Sequence, residues 1–173
     1  MESYEIKQRL DAYLAENFVE EEIVAEEVST EEEKFASAPP VYSSRRYYQK
    51  INFDKIFEDN VGETFSEMMT RLVEESGEKN STIYNRAQID RQLFSRIKKN
   101  KNYQPSKDTA VALAIALKLD FDKAKDFLAT AGYTLSKTKR DLIITFFIEN
   151  KIFDTALLND YLYEYEQPVL FGR

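Results

Sequence analysis

Apolar residues recur three and four positions apart over much of this chain, the period of helices buried on one face. Ile6, Leu10, Tyr13, Leu14 and Phe18 mark such a face on an amphipathic helix over residues 4–18. Phe65, Met68, Met69, Leu72 and Val73 mark another, which Thr64-Phe65-Ser66-Glu67 opens in capping-box form and Gly77 closes. Two short patterns follow, over 81–88 and from Asp90 to Asn100, with Ile83, Ala87, Ile89, Phe94 and Ile97 on the buried side. Asn100–Pro105 reads as a loop. Ser106 then opens a helix through TAVALAIALKL, apolar on nearly every face and so expected at the centre of the core. A further helix, capped by Asp120 or Asp122, buries Ala124, Phe127, Leu128 and Ala131 and stops at Gly132. DLIITFFIENK predicts a helix burying Leu142, Ile143, Phe146 and Phe147, and DTALLNDYLYEYEQP one that starts on an Asp cap and ends at Pro168. The predicted fold is all-α.

Between the first helix and Thr64 the period is lost, which divides the chain into three parts: an acidic arm with its amphipathic helix over 1–33, a linker over 34–62, and a helical domain over 63–173. The linker holds Pro39 and Pro40, which no helix can run through, and a basic, aromatic patch of Arg45, Arg46, Tyr47, Tyr48 and Lys50. Such a patch can stack on bases, although packing a strap onto its own domain is its commoner use. Tyr161, Tyr163, Tyr165 and Phe171 near the end suit a domain-closing core or a dimer seam.

Charge sharpens this division. The net charge is −7, yet residues 1–33 carry 12 Asp or Glu against 2 Lys or Arg, and the remaining 140 residues have a net charge of +3. Acidity that would argue against a nucleic-acid partner is thus concentrated in one segment.

The inventory also removes chemistry. With no Cys and no His, a disulfide framework, a Cys/His zinc site, a Cys nucleophile and a His base are excluded. No calcium loop, phosphate loop or dinucleotide fingerprint occurs. The expectation is a non-enzymatic protein without cofactor or metal. No apolar run is long enough for a membrane span, and the N-terminus has no basic region followed by an apolar core, so a cytoplasmic protein is expected.

Residues 79–119 carry the functional signal, because two short helical patterns flank a tight break there and a cationic loop follows. Arg91, Gln92, Ser95, Arg96, Lys98 and Lys99 fall outside the buried set, donors suited to phosphates and base edges. From Arg86 to Lys107 there are seven bases and one acid, Asp90. Solvated helix surface, or cations that complement the negative end of a helix, would give the same pattern without any ligand.

Residues 64–132 resemble the Cro/C1-type (Xre-like) helix-turn-helix domain. Gln88-Ile89-Asp90 matches its turn, Phe94-Ser95-Arg96-Ile97 its recognition-helix core, Pro105-Ser106 the start of its fourth helix, and Ala110–Leu119 that helix's alternating Leu/Ala pattern. The stretches FSEMM, QIDRQLFSRI, YQPSK, VALAIAL, AGYTLS and YEQPVLFG extend the resemblance over 64–171, to a bacterial variety of the domain with two additional C-terminal helices. The resemblance implies a five-helix bundle whose third helix, over 90–100, lies in the major groove of double-stranded DNA. On that footing Arg91, Gln92 and Ser95 would read bases, while Arg96, Lys98, Lys99, Lys101 and Lys107 would meet phosphates. It also implies a transcriptional regulator that binds palindromic sites as a homodimer, with the C-terminal helices as the candidate seam. Two departures stand out. Tyr84 replaces a usual Ala, which can widen the helix crossing, and Gln88 replaces a usual Gly, which can send the turn along a different backbone path.

Two other readings come from the arm. In one the protein is an adaptor or regulatory subunit that binds another protein through its helical domain, with residues 4–33 as a docking arm. In the other the arm folds over the basic surface, mimics phosphate charge, and lifts when DNA or a partner competes.

Overall fold

Eight helices and no strand make up the described part of the chain, residues 3–18 and 62–171 of a computed structural model. They are α1 (Ser3–Asn17), α2 (Phe65–Ser76), α3 (Asn80–Arg86), α4 (Arg91–Lys99), α5 (Lys107–Ala116), α6 (Phe121–Thr130), α7 (Lys139–Glu149) and α8 (Thr155–Glu164). The acidic stretch from residue 19 to 33, the linker as far as residue 61 and its Arg45–Lys50 patch lie outside the described residues.

Local chemistry fixes where these helices begin. Thr64, Asp90, Ser106, Asp120, Thr138 and Asp154 each accept the backbone N–H three residues on, at the starts of α2 and α4 to α8. Each such cap contributes about 1 kcal/mol. Asp120, not Asp122, is the cap of α6. Thr64 and Glu67 form the full reciprocal capping box.

Five helix ends share one device. After α3, α5, α6, α7 and α8 the chain turns left-handed, at Gln88, Lys118, Gly132, Lys151 and Glu166. At each, two successive backbone N–H groups reach back to carbonyls of the last turn, as Gln88 and Ile89 do to Asn85 and Tyr84. The residue that follows is apolar in four cases, Ile89, Leu119, Tyr133 and Ile152, and packs against the core. The same device thus ends a helix and returns the chain inward.

Burial decides the assembly. Every residue of α5 from Thr109 to Ala116 is buried, and α3, α6 and α8 surround it. In α7, Asp141 to Ile148 are all buried, which requires cover from α6, α8 and a third element. That element is α1. Its Ile6, Leu10 and Leu14 are buried, and the Tyr13 ring lies 5.5 Å from that of Phe146 on α7. Lys7 pairs with Glu164, Arg9 with Asn150, and Asp11 accepts from the Tyr165 hydroxyl, which closes the polar edges of the seam.

This corrects the expected arm over 1–33. Met1–Val19 and Glu63–Arg173 form one compact unit, so the amphipathic helix is a wall of the domain and not a detachable docking element. The pattern of α1 showed a buried face but not its partner, which lies more than 130 residues further along the chain.

Leu10→Ala should therefore destabilise the whole unit by about 3 kcal/mol, the usual cost of a buried Leu truncation. Urea denaturation followed by tryptophan-independent far-ultraviolet dichroism should show one transition at a lower midpoint; an unmoved midpoint would mean that α1 is not integral.

Candidate nucleic-acid interface

The α3–α4 turn presents α4 outward. Arg86 at the end of α3 bonds Glu78 at 2.7 Å and the Ala116 carbonyl of α5 at 2.5 Å, so the base of the turn is clamped to the core helix. Gln88 then takes φ +56°, the left-handed path that its glycine-preferring position calls for, and the different path expected from its side chain is not taken. The backbone bonds of the turn hold it there against about 1 kcal/mol of steric cost. Its side-chain oxygen accepts from Asn159 of α8 at 3.3 Å.

Tyr84 fills space beside the turn. Its half-buried ring meets Phe94 edge-on, with centroids 5.8 Å apart and planes at 61°, a geometry favourable for aromatic pairs. On the other side of α4, the buried Ser66 hydroxyl donates to the Ile97 carbonyl at 2.6 Å. Phe94 and Ile97 face the core, and Asp90 caps the first turn. These contacts fix the helix in rotation.

That rotation leaves Arg91, Gln92, Ser95, Arg96 and Lys99 lining one shallow, open surface. Arg91, Gln92, Arg96 and Lys99 are exposed, whereas Ser95 and Lys98 are half-exposed. The expected base-reading set therefore lies together on one face.

The seven cations from Arg86 to Lys107 separate into two groups. Arg91, Arg96, Lys98 and Lys99 have no carboxylate in ion-pair reach among the described residues. Arg86 is bound to Glu78, Lys101 to Glu67 at 2.6 Å, and Lys107 to Asp141 at 2.7 Å. Arg96, Lys98 and Lys99 occupy the last turn of α4, where their charge also favours the helix end.

Lys107 is thereby removed from the expected phosphate contacts. Its ammonium bonds both oxygens of Asp141, at 2.8 and 2.7 Å, and Asp141 also accepts from the Ser136 N–H and hydroxyl. Burial alone would push this carboxyl up, but Lys107 and Ser136 hold it below the ordinary aspartate range. A buried carboxylate needs its cation, so Lys107 ties α5 to α7.

Lys101 is a different case. Its side chain is exposed and its partner Glu67, on α2, also closes the capping box with Thr64. The hydrogen bond from Lys101, followed by those from the Thr64 N–H and hydroxyl, pulls the Glu67 carboxyl down to about 2. Sequence reasoning missed Glu67 as a neighbour of this surface, because its capping role gave no sign of a second contact with the α4–α5 loop.

No protein family, curated protein or solved structure matches the chain. The functional reading therefore rests on the surface itself. Among the described residues there is no cluster of potential metal ligands and no helix long and apolar enough to cross a membrane.

Gln88→Gly should raise stability by about 0.5–1 kcal/mol, seen as a higher melting temperature, because glycine takes the left-handed conformation without a Cβ clash. Asp141→Asn should lower it by about 3 kcal/mol at neutral pH through the orphaned Lys107. The Asp141 carboxyl is depressed in the folded state, so its contribution is present above its unfolded value of 3.8 and is lost as the pH falls below that value. In acid titrations the wild type and the Asp141→Asn variant should converge in stability.

Proposed function

We propose that the protein is a sequence-specific, DNA-binding regulator in which α2 to α6 form a Cro/C1-type helix-turn-helix bundle and α4 enters the major groove. One observation carries the reading: four cations without an ion-pair partner among the described residues stand on one clamped helix beside two neutral hydrogen-bonding side chains. The other three cations of the same basic run, Arg86, Lys101 and Lys107, are tied to carboxylates, so the unpaired charge on α4 marks where an external anion would be favoured.

In this reading Arg91 and Gln92, at the N-terminal end of α4, approach base edges with Ser95 one turn on. Arg suits guanine and Gln suits adenine. Arg96, Lys98 and Lys99 neutralise phosphates, and Lys101 joins them by exchanging Glu67 for a phosphate. Lys107 stays with Asp141. A homodimer on a palindrome would present two such helices, one helical turn of DNA apart.

The charge-mimic idea takes a narrower form. Deleting residues 1–33 would strip α1 from α7 and confound any effect on binding. The eight carboxylates between residues 20 and 33 are the appropriate test, replaced by Gln with α1 left intact; in this version of the reading, affinity for DNA rises most at low salt.

Sequencing the genomic fragments retained by the full chain at low salt tests the proposal. A common motif among them is the expected result, and Arg91→Ala should then cost about 1–3 kcal/mol and relax the preference at one base. Lys99→Ala should weaken all fragments alike and reduce the salt slope by about one, whereas Lys107→Ala should leave that slope unchanged. Retention of no DNA at all would transfer the reading to the adaptor.

A further inference from the structure

The outer face of α8 and the tail after it form an open depression lined by Ala156, Asn159, Asp160, Tyr163, Val169 and Phe171, with Gln88 of the α3–α4 turn at its edge. The tail is pinned in place. Leu170 is buried, its N–H donates to the Asn159 side-chain oxygen at 2.8 Å, and Arg140 on α7 donates to the Pro168 carbonyl at 2.8 Å. With Leu170 turned into the core, Val169 and Phe171 on either side of it remain half-exposed. Tyr163 is 79% exposed, one of two large apolar residues left so open among the described residues.

The charged side chain in this lining, Asp160, is acidic. Residues 152–171 contain four carboxylates and no Lys or Arg. Glu164 meets Lys7, but Asp160 and Glu166 have no ion-pair partner among the described residues. An aromatic ring beside free carboxylates favours a cation with an apolar stem, because the ring face and the carboxylate attract the same charge.

We infer that this face of α8 docks a short segment of a partner protein in which an aliphatic side chain stands next to Lys or Arg. The apolar floor takes the aliphatic group, while Asp160 and the Tyr163 ring take the cation. A second copy of this chain fits poorly. Two copies related by a two-fold axis would bring the Asp160 carboxylates of both onto one face, with no cation in either lining to receive them. The inference does not depend on α4 reading DNA.

The link from Asn159 to both Gln88 and Leu170 gives the occupant a second consequence. Whatever displaces the tail or the α8 side chains perturbs the bond to the turn that presents α4. The Gln88 side-chain amide is therefore a remote reporter of occupancy.

The test uses the full chain, isotopically labelled, titrated with two synthetic heptapeptides of equal charge: one with two Leu among Lys residues, and one with Ser in place of Leu. Saturable amide shifts at Ala156, Asn159, Tyr163 and Val169, and at the Gln88 side chain, are expected with the Lys/Leu peptide only. Tyr163→Ala should weaken that binding about tenfold or more, as loss of a central aromatic anchor does. Asp160→Asn should weaken it about two- to fivefold, as for an exposed ion pair. Both residues are exposed, so unchanged melting temperatures should show that the variants fold. Equal shifts with the Lys/Ser peptide, shifts confined to residues 19–33, or no shift at α8 would overturn the inference. So would sedimentation showing a dimer that Tyr163→Ala dissolves, since a second copy would then own the face.

Discussion

Two helices of this protein, α5 and α7, are buried on every side, and the rest of the fold is the consequence of keeping water from both. A helix that is apolar all round cannot sit at a surface, so each needs at least three neighbours. For α5 these are α3, α6 and α8, which draws the α3–α4 unit against the centre of the domain. For α7 they are α6, α8 and α1, which brings the first helix onto the last ones. The position of α4, and with it the cationic surface, follows from the first requirement. The closure of the domain follows from the second.

Electrostatics then distinguishes structure from candidate function within a single run of sequence. Arg86, Lys101 and Lys107 lie among the same basic residues as Arg91, Arg96, Lys98 and Lys99, yet the fold gives the first three carboxylate partners on other elements. Lys107 and Asp141 are a tie between helices, and Arg86 is a clamp on a turn. What remains on α4 is charge that packing does not use, next to Gln92 and Ser95, which can discriminate among acceptors as well as attract them.

Much of this was legible in the sequence, for identifiable reasons. The periodic apolar residues, the Ser, Thr and Asp caps and the all-apolar Ala110–Leu119 stretch are local signals, and each helix they predict occurs among the described residues. The outward set Arg91, Gln92, Ser95 and Lys99 followed from the same periodicity. Partners distant in sequence were not legible. Nothing near Lys107 announces Asp141, nothing near Lys101 announces Glu67, and nothing in residues 4–18 announces α7. The path at Gln88 was misread because propensity was weighed alone, whereas two backbone bonds and the apolar Ile89 hold the left-handed turn regardless of side chain.

The seam between α1 and the C-terminal helices joins residues as far apart as Lys7 and Glu164. Contacts of that sequence separation close a very large loop, and they form slowly because the entropy of closure precedes any reward. The α2–α6 bundle, by contrast, closes much shorter loops, the longest being the one from α2 to α6. Folding should therefore proceed from that bundle outward, with α1 the last element to settle. Until α1 settles, the apolar flank of α7 is bare while the α4 surface is already formed. The order of assembly thus separates the part of the molecule most exposed to misassociation from the cationic face of α4.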